Sequence, residues 1–240
     1  MIKRVEDLSV KIFADGADKE GMMEMYSKPF ISGFTTNPTL MRKAGLSDYL
    51  SFAREIVELI KDKPLSFEVF SDDLREMEIQ ALKLADLAPN VFVKIPITNT
   101  FGESCFDVVK NLSDKGIKIN VTAIMTIEQV NHIIPALSGG AGGYISVFAG
   151  RIADTGIDPI PMMSEIIGKL YAHNNIELIW ASPRELLNIV QAHEIGCDII
   201  TVTNDILKKL SLLGKDLSEF SLDTVKMFYN DAKASGFSLD

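Results

Sequence analysis

Hydrophobic residues along this chain form eight short runs, separated by longer segments in which apolar positions recur with helical spacing. A short apolar run rich in β-branched residues is typical of a buried strand. We therefore predict eight strands, at residues 10–15, 31–36, 65–70, 91–96, 117–124, 144–149, 176–182 and 198–203.

Amphipathic segments between these runs predict helices. The clearest covers residues 72–88, where apolar side chains from Leu74 to Ala85 recur at helical spacing and either Ser71 or Asp72 could cap the first turn. Further helical patterns cover residues 46–61, 103–115, 126–137, 159–173, 183–193, 204–213 and 221–235.

Strands that alternate with helices predict a parallel sheet with right-handed crossovers. Eight such units most simply close into an α/β fold, a (β/α)8 TIM barrel, with residues 221–235 as an extra C-terminal helix. A doubly wound open sheet is the alternative. Because no linker, repeat or low-complexity segment interrupts residues 1–240, we expect a single domain.

Composition excludes several classes of function. The chain has 240 residues and a formal net charge of −9, which argues against a general nucleic-acid binder. No apolar stretch approaches the roughly 20 residues of a membrane span and no secretory segment is evident, so we expect a cytoplasmic protein. The two cysteines lie far apart and the three histidines are isolated, so neither a disulfide framework nor a metal site is predicted.

One lysine stands out within the apolar runs. Lys94 lies between Phe92 and Pro96 on one face of the fourth predicted strand. Burying an ammonium group is costly, so such a lysine tends to lose its proton and become a nucleophile that attacks carbonyl groups. The alternative is an edge-strand lysine whose stem covers apolar surface while its head reaches water.

Polar residues also gather where the predicted strands end, which is where the active site of a parallel barrel lies. A carboxylate inside an apolar strand, such as Glu68, needs a partner or a proton. A lysine with nearby carboxylates suits imine chemistry, and two arginines suit a small anion. The polar residues at the predicted rim are Asp15, Asn37, Glu68, Lys94, Asn120, Thr122, Ser146, Arg151, Ser182 and Arg184. Thr35 and Thr36 at the end of strand two, and Thr201, Thr203 and Asn204 at the end of strand eight, carry less specific chemistry.

Most of these residues also have an ordinary structural explanation. Asp15 and Asn37 could cap helices or order turns, and Thr122 could be satisfied in a core, as could the serine at 146. The arginines could form ordinary surface ion pairs. The convergence of all of them on one rim favours a reactive site.

Six stretches of the chain resemble the transaldolase family, which includes the fructose 6-phosphate aldolases. They are F-A-D-G-A-D from Phe13, F-T-T-N-P-T-L from Phe34, F-V-K-I-P from Phe92, I-N-V-T-A-I from Ile119, I-S-V-F-A-G-R-I from Ile145 and A-S-P-R from Ala181. The combination is specific, although any single stretch is weak. The resemblance implies a class I aldolase-type barrel that needs no cofactor.

The resemblance also implies a role for each residue. Lys94 would form a Schiff base with the C2 carbonyl of a ketose, Asp15 would exchange a proton with the C4 hydroxyl, and Glu68 and Thr122 would hold the water that shuttles protons. The dihydroxyacetone part would be bound by Asn37, Asn120 and Ser146. The terminal phosphate would be bound by Arg151, Ser182 and Arg184.

Within the family, the resemblance favours transaldolases over aldolases that release free dihydroxyacetone. Glu68 stands where the aldolases carry glutamine, and Phe148 stands near the substrate where they carry tyrosine. Asn120 and Ser146 also follow the transaldolase pattern. We therefore expect transfer of a dihydroxyacetone unit from a ketose phosphate, such as fructose 6-phosphate, to an aldose phosphate within the pentose phosphate pathway.

Two departures from the family pattern affect the anion site. Gly16 replaces a threonine and could loosen the backbone after Asp15, and Pro183 replaces a phenylalanine and is expected to keep Ser182 extended. The alternatives are therefore a fructose 6-phosphate aldolase, a transaldolase for a sulfonated ketose, or a silent barrel that only binds sugar phosphates. The tail helix predicts either a homo-oligomer contact or closure of its own barrel.

Overall fold

The computed structural model describes residues 2–239. Its eight strands are all parallel, pair in sequence order and close between the first and the last into a barrel. The predicted (β/α)8 architecture is confirmed, and the open-sheet alternative is wrong. The strands are β1 (Lys11–Asp15), β2 (Ile31–Thr35), β3 (Leu65–Glu68), β4 (Val91–Pro96), β5 (Ile119–Ile124), β6 (Gly143–Val147), β7 (Ile176–Trp180) and β8 (Ile199–Thr203).

The helices lie between the strands and after the last one. They are α1 (Lys19–Tyr26), α2 (Pro38–Lys43), α3 (Tyr49–Leu59), α4 (Leu74–Ala85), α5 (Phe106–Asp114), α6 (Ile127–Ser138), α7 (Ala149–Asp154), α8 (Ile160–Leu170), α9 (Leu187–Glu194), α10 (Asn204–Leu207) and α11 (Leu217–Ala234). Short 3-10 turns cover Val5–Asp7 and Lys208–Leu212.

Three helices have no counterpart in the predicted set. These are α1, α2 and α7, which have only six to eight residues each. Their apolar faces are too short for a clear helical period. Asp18 caps the start of α1 and Asn37 that of α2, whereas α7 has no side-chain cap. The predicted cap of α4 is also wrong by one residue, because Asp73 accepts the N–H groups of Arg75 and Glu76 at 3.0 and 2.9 Å.

Inward-facing side chains fill the barrel in layers. An aromatic layer occupies its interior, where Tyr144 packs edge-on against Phe13 with ring centroids 5.8 Å apart and stacks on Phe92 at 4.1 Å. The ring of Phe13 takes the space beside Gly33, where a Cβ would lie 2.6 Å from it. This packed layer separates the carboxyl ends of the strands, where the active site of a parallel barrel lies, from the opposite end, where Lys11 pairs with Glu177.

The C-terminal helix α11 does not close its own barrel. None of its residues is buried, and apolar side chains such as Val225 (60% exposed) and Phe228 (63% exposed) point into solvent. The prediction that this helix covers the bottom or side of its barrel is therefore wrong. Within residues 2–239, no helix is long and apolar enough to cross a membrane.

Candidate active site

Lys94 lies inside the barrel near the carboxyl end of β4. Its residue is 6% exposed, and its Nζ lies 3.1 Å from Glu68 Oε2 and donates to the carbonyl of Thr36 at 3.1 Å. The register of the parallel strands brings Lys94 beside Glu68, because its Cα pairs with that of Glu68 on β3 and with that of Asn120 on β5. The expected burial of Lys94 is confirmed, and the edge-strand alternative is wrong because the closed barrel has no edge.

Asp15 ends β1 and faces the same space. The Thr35 hydroxyl donates to its Oδ1 at 2.7 Å. Burial raises the pKa of the Asp15 carboxyl above its usual range, although the nearby Lys94 charge and the Thr35 hydrogen bond oppose that shift. The departure at Gly16 does not leave the backbone free there, since the Gly16 N–H donates to the Thr35 carbonyl at 3.1 Å.

Thr122 on β5 faces this space, on the same side of the strand as Asn120, as strand alternation requires. The strand becomes irregular just after it, where Ala123 has a φ of 61° and the pairing with β6 shifts between Val121 and Ile124. Thr122 Oγ1 is buried and has no hydrogen-bond partner within residues 2–239. An unpaired buried hydroxyl is costly, so a bound molecule is the natural partner for it.

A buried layer of hydrogen bonds lies close to Lys94. Asn120 donates to Ser66 Oγ at 3.1 Å and accepts from the Ser146 hydroxyl at 2.7 Å. Asn120 is fully buried and does not line the open cavity, whereas Ser146 does. Ser66 was missed because a serine inside an apolar run gives no sequence signal of its own.

The loop after β7 has a strained backbone. Ser182 has a φ of 60°, so the expectation that Pro183 keeps it extended is wrong. The Gly150 N–H donates to the Ala181 carbonyl at 3.4 Å, and a Cβ at Gly150 would lie 1.6 Å from the Ser182 carbonyl oxygen. Only glycine allows this approach, which explains the glycine before Arg151 and places Ser182 beside α7.

The two arginines lie at the outer side of the cavity and are exposed. Arg151 lies over the Phe148 ring, with its guanidinium carbon 5.3 Å from the ring centroid. Arg184 forms a two-pronged ion pair with Asp154, in which Nε donates to Oδ1 at 3.0 Å and Nη2 donates to Oδ2. Asp154 does not line the cavity, so it contacts the guanidinium from outside.

These groups line one cavity of about 470 Å³ at the carboxyl ends of the strands. Asn37 serves two purposes, since it lines the cavity and accepts the Leu40 N–H at 3.0 Å as the cap of α2. Thr35, Thr201 and Thr203 also line it; the sequence places them at strand ends but does not indicate a role for them. The predicted residues in the cavity wall are Asp15, Asn37, Glu68, Lys94, Thr122, Ser146, Phe148, Arg151, Ser182 and Arg184.

The cavity contains side chains suited to carbonyl chemistry. It places an amine, two carboxylates and several hydroxyls within one wall, which suits nucleophilic attack followed by proton transfer. Within residues 2–239, no group of three or more histidine, cysteine, aspartate or glutamate side chains is arranged to hold a metal ion.

Comparison with known proteins identifies the family. The family model described as transaldolase/fructose-6-phosphate aldolase matches residues 12–240. The chain belongs to the transaldolase/fructose-6-phosphate aldolase family. The resemblance seen in the sequence motifs is thereby confirmed.

Curated relatives of this transaldolase-family chain carry the name "probable transaldolase". One from Methanococcus maripaludis is 36% identical over 202 residues, covering 84% of this chain and 89% of the relative. One from Dehalococcoides mccartyi is 34% identical over 203 residues, covering 84% and 90%. One from Ruegeria is 32% identical over 232 residues, covering 96% and 100%.

Solved structures share the barrel at low identity. Dihydrodipicolinate synthase from Rhodopseudomonas palustris matches with a TM-score of 0.59 at 13% identity, covering 95% of this chain and 80% of that one. The tryptophan synthase α subunit from Legionella pneumophila matches with a TM-score of 0.55 at 11% identity, covering 93% and 92%. At such identities the likeness concerns the fold alone.

Proposed function

We propose that this protein is a transaldolase that moves a dihydroxyacetone unit from a ketose phosphate, such as fructose 6-phosphate, to an aldose phosphate. One observation carries the proposal: Lys94 is a buried amine 3.1 Å from Glu68 that shares its cavity wall with Asp15. Lys94 forms the Schiff base with the C2 carbonyl, and the protonated imine accepts the electrons when the C3–C4 bond breaks.

Proton transfer is divided between two carboxylates. Asp15 accepts the C4 hydroxyl proton during cleavage and returns it to the new aldehyde, a role that suits a carboxyl whose pKa burial raises toward the working pH. Glu68 and the hydroxyl of Thr122, which has no protein partner within residues 2–239, hold the water that is lost when the imine forms and added when it is hydrolysed.

Substrate contacts extend from this centre in two directions. The dihydroxyacetone part lies against Asn37 and Ser146, and Asn120 holds Ser146 from behind through its 2.7 Å hydrogen bond. The terminal anion lies toward the residues at the outer side of the cavity, which are Arg151, Ser182 and Arg184.

Phe148 favours transfer over net cleavage. Its ring lines the cavity and carries no hydroxyl that could protonate the enamine. The enamine therefore persists until an acceptor aldehyde arrives. A fructose 6-phosphate aldolase and a transaldolase for a sulfonated ketose are the alternatives, and product formation with and without acceptor, on phosphorylated and sulfonated donors, separates the three.

Borohydride trapping tests the Schiff base. Incubation with fructose 6-phosphate and borohydride should fix a dihydroxyacetone adduct on Lys94, seen by peptide mass spectrometry. Lys94→Met should abolish the adduct and the transfer reaction, whereas Lys118→Met, at an exposed position just before β5, should retain both. An active Lys94→Met enzyme would reject the proposal, and sugar-phosphate binding without any turnover would favour the silent barrel.

We further propose that the enzyme is a cytoplasmic homo-oligomer acting in the pentose phosphate pathway, with residues 1–240 forming one catalytic domain. The exposed apolar side of α11 supports self-association, since a helix with no buried residue has an uncovered apolar face. Light scattering should give a mass above the 26.5 kDa of one chain, and Phe228→Ser combined with Val225→Ser should lower it. A monomer at all concentrations would contradict the oligomer.

A further inference from the structure

We propose that Thr201 is a positioning residue that directs the carboxylate of Asp15 through the hydroxyl of Thr35. The inference rests on the transaldolase function proposed above and deepens it. Thr201 lies on β8 and Thr35 on β2, the two strands on either side of β1, which carries Asp15. The three side chains form one continuous hydrogen-bonded chain that spans these strands.

The direction of this chain follows from counting protons. The Thr35 hydroxyl donates to Asp15 Oδ1 at 2.7 Å, and the same hydroxyl is hydrogen-bonded to that of Thr201. A threonine hydroxyl has one proton and an ionised carboxylate only accepts. Because Thr35 uses its proton on Asp15, Thr201 must donate to Thr35. Both donors therefore point toward the carboxylate.

This arrangement leaves one carboxylate oxygen for the substrate. Thr35 occupies Oδ1 of Asp15, so Oδ2 is the oxygen that can take the substrate proton. When Oδ2 becomes protonated, Thr35 can continue to donate to Oδ1, so the chain need not rearrange during the reaction. A base held in one orientation keeps the short reach that proton transfer requires.

The alternative is that Thr201 is an ordinary core threonine. It is 6% exposed, Thr35 is 2% exposed, and buried hydroxyls are normally hydrogen-bonded whether or not they serve function. The charged groups that face Asp15 are Lys94 on β4 and Glu68 on β3, and neither contacts Thr201. A substitution at Thr201 therefore changes Asp15 without removing either of those charges.

Thr201→Val tests the proposal, because it keeps the shape of the side chain and removes only the donor. Because the carboxylate of Asp15 loses support from this donor, we expect the acidic limb of the pH profile of kcat to move upward by about half to one pH unit. We also expect kcat to fall about 3- to 10-fold with little change in KM. Thr201→Ser should restore the profile. Thr224→Val makes the same chemical change on α11, outside the cavity, and is the control that should leave the pH profile and kcat unchanged.

A second measurement separates this inference from the proposed function. Carbon-13 NMR titration of the Asp15 carboxyl, assigned with Asp15→Asn, needs no turnover. An upward shift of the Asp15 pKa in Thr201→Val that is reversed in Thr201→Ser supports the hydroxyl chain. If the shift is seen but transfer activity is absent, only the proposed function fails. The role of Thr201 would be overturned if Thr201→Val changed neither the titration of the Asp15 carboxyl nor the acidic limb of the pH profile of kcat. An equal loss of activity at every pH would also overturn it.

Discussion

The two ends of the cavity hold their charges in opposite ways. At the inner end, Lys94 and Glu68 lie on barrel strands, their side chains only 8% and 17% exposed, and they pair directly with each other. At the outer end, Arg184 and Asp154 pair with side chains 47% and 50% exposed. The inner charges are fixed by strand register, whereas the outer ones lie on α7 and on the loop after β7.

This difference suits the two tasks of the proposed reaction, bond cleavage at the inner end and anion binding at the outer end. Breaking a carbon–carbon bond needs groups held to within fractions of an ångström, which strands in a closed barrel provide. Holding a terminal anion needs charge and reach but less precision, which exposed arginines provide. The inner end should therefore carry costs to stability that the outer end does not, because burial penalises every charge and unpaired hydroxyl placed there.

The largest expected effect concerns Asp15→Asn. If Asp15 is the base, kcat should fall by about 10²- to 10⁴-fold. Burial raises the pKa of Asp15, so the folded protein binds this proton more tightly than the unfolded chain does. The stability it contributes is thus present at low pH and is lost as the pH rises through the folded pKa. Asp15→Asn should raise the melting temperature at neutral pH, and the gain should shrink on acidification.

Calorimetry across a range of pH measures the gain in melting temperature of Asp15→Asn, and Asp107→Asn is the control variant. Asp107 is exposed on α5, outside the cavity, so its replacement should leave activity unchanged and should bring no comparable gain in melting temperature. A variant at Asp15 that melts lower at neutral pH, or that keeps full activity, would remove the contrast between the two ends.

A smaller effect is expected from Thr122→Val. The substitution removes a hydroxyl that has no protein partner within residues 2–239, so the free energy of unfolding should change by less than about 1 kcal/mol. If the hydroxyl positions a water for imine formation, kcat should fall by about 10- to 100-fold. Denaturant unfolding and steady-state kinetics measure the two changes. Thr122→Ser keeps the hydroxyl and should keep most of the activity; loss of stability without loss of activity would make Thr122 a core residue.

The inner end could be predicted from sequence and the outer end only in part. A strand alternates its side chains with a period of two, so the face and the carboxyl end that Lys94, Glu68 and Thr122 occupy follow from the apolar runs. The left-handed backbone of Ser182 does not follow from any local pattern. A proline after it argues for an extended conformation, and the close approach of Gly150, which follows the neighbouring strand β6, is likewise invisible in the local sequence.

Contacts between residues far apart in the sequence could not be predicted either. Thr35 and Thr201 are 166 positions apart, and nothing in either stretch indicates that their hydroxyls meet. The same holds for Asp154 and Arg184, which lie 30 positions apart on different elements. Short helices such as α2 were missed because six residues give too little periodicity, although the cap residue Asn37 was noticed.

A third test acts on the outer end through the backbone. Gly150→Ala would place a methyl group 1.6 Å from the Ser182 carbonyl oxygen, so the loop must move and carry Ser182 with it. We expect KM for a phosphorylated donor to rise about tenfold with kcat little changed. Gly168→Ala is the matched control, because a Cβ there on α8 meets no atom within 4 Å. A fall in kcat with unchanged KM would mean that the two ends are not separable.

The smallest expected effect is that of Asp154→Asn. The carboxylate contacts Arg184 from outside the cavity and holds the guanidinium through Nε and Nη2. Within residues 2–239 Nη1 has no hydrogen-bond partner, so it can donate to an anion. Because the pair is half exposed, its loss should raise KM for phosphorylated donors only about twofold. Unphosphorylated donors should show no change, and Asp158→Asn, at another exposed position after α7, is the control. A drop in KM would instead mean that Asp154 repels the bound anion more than it orders Arg184.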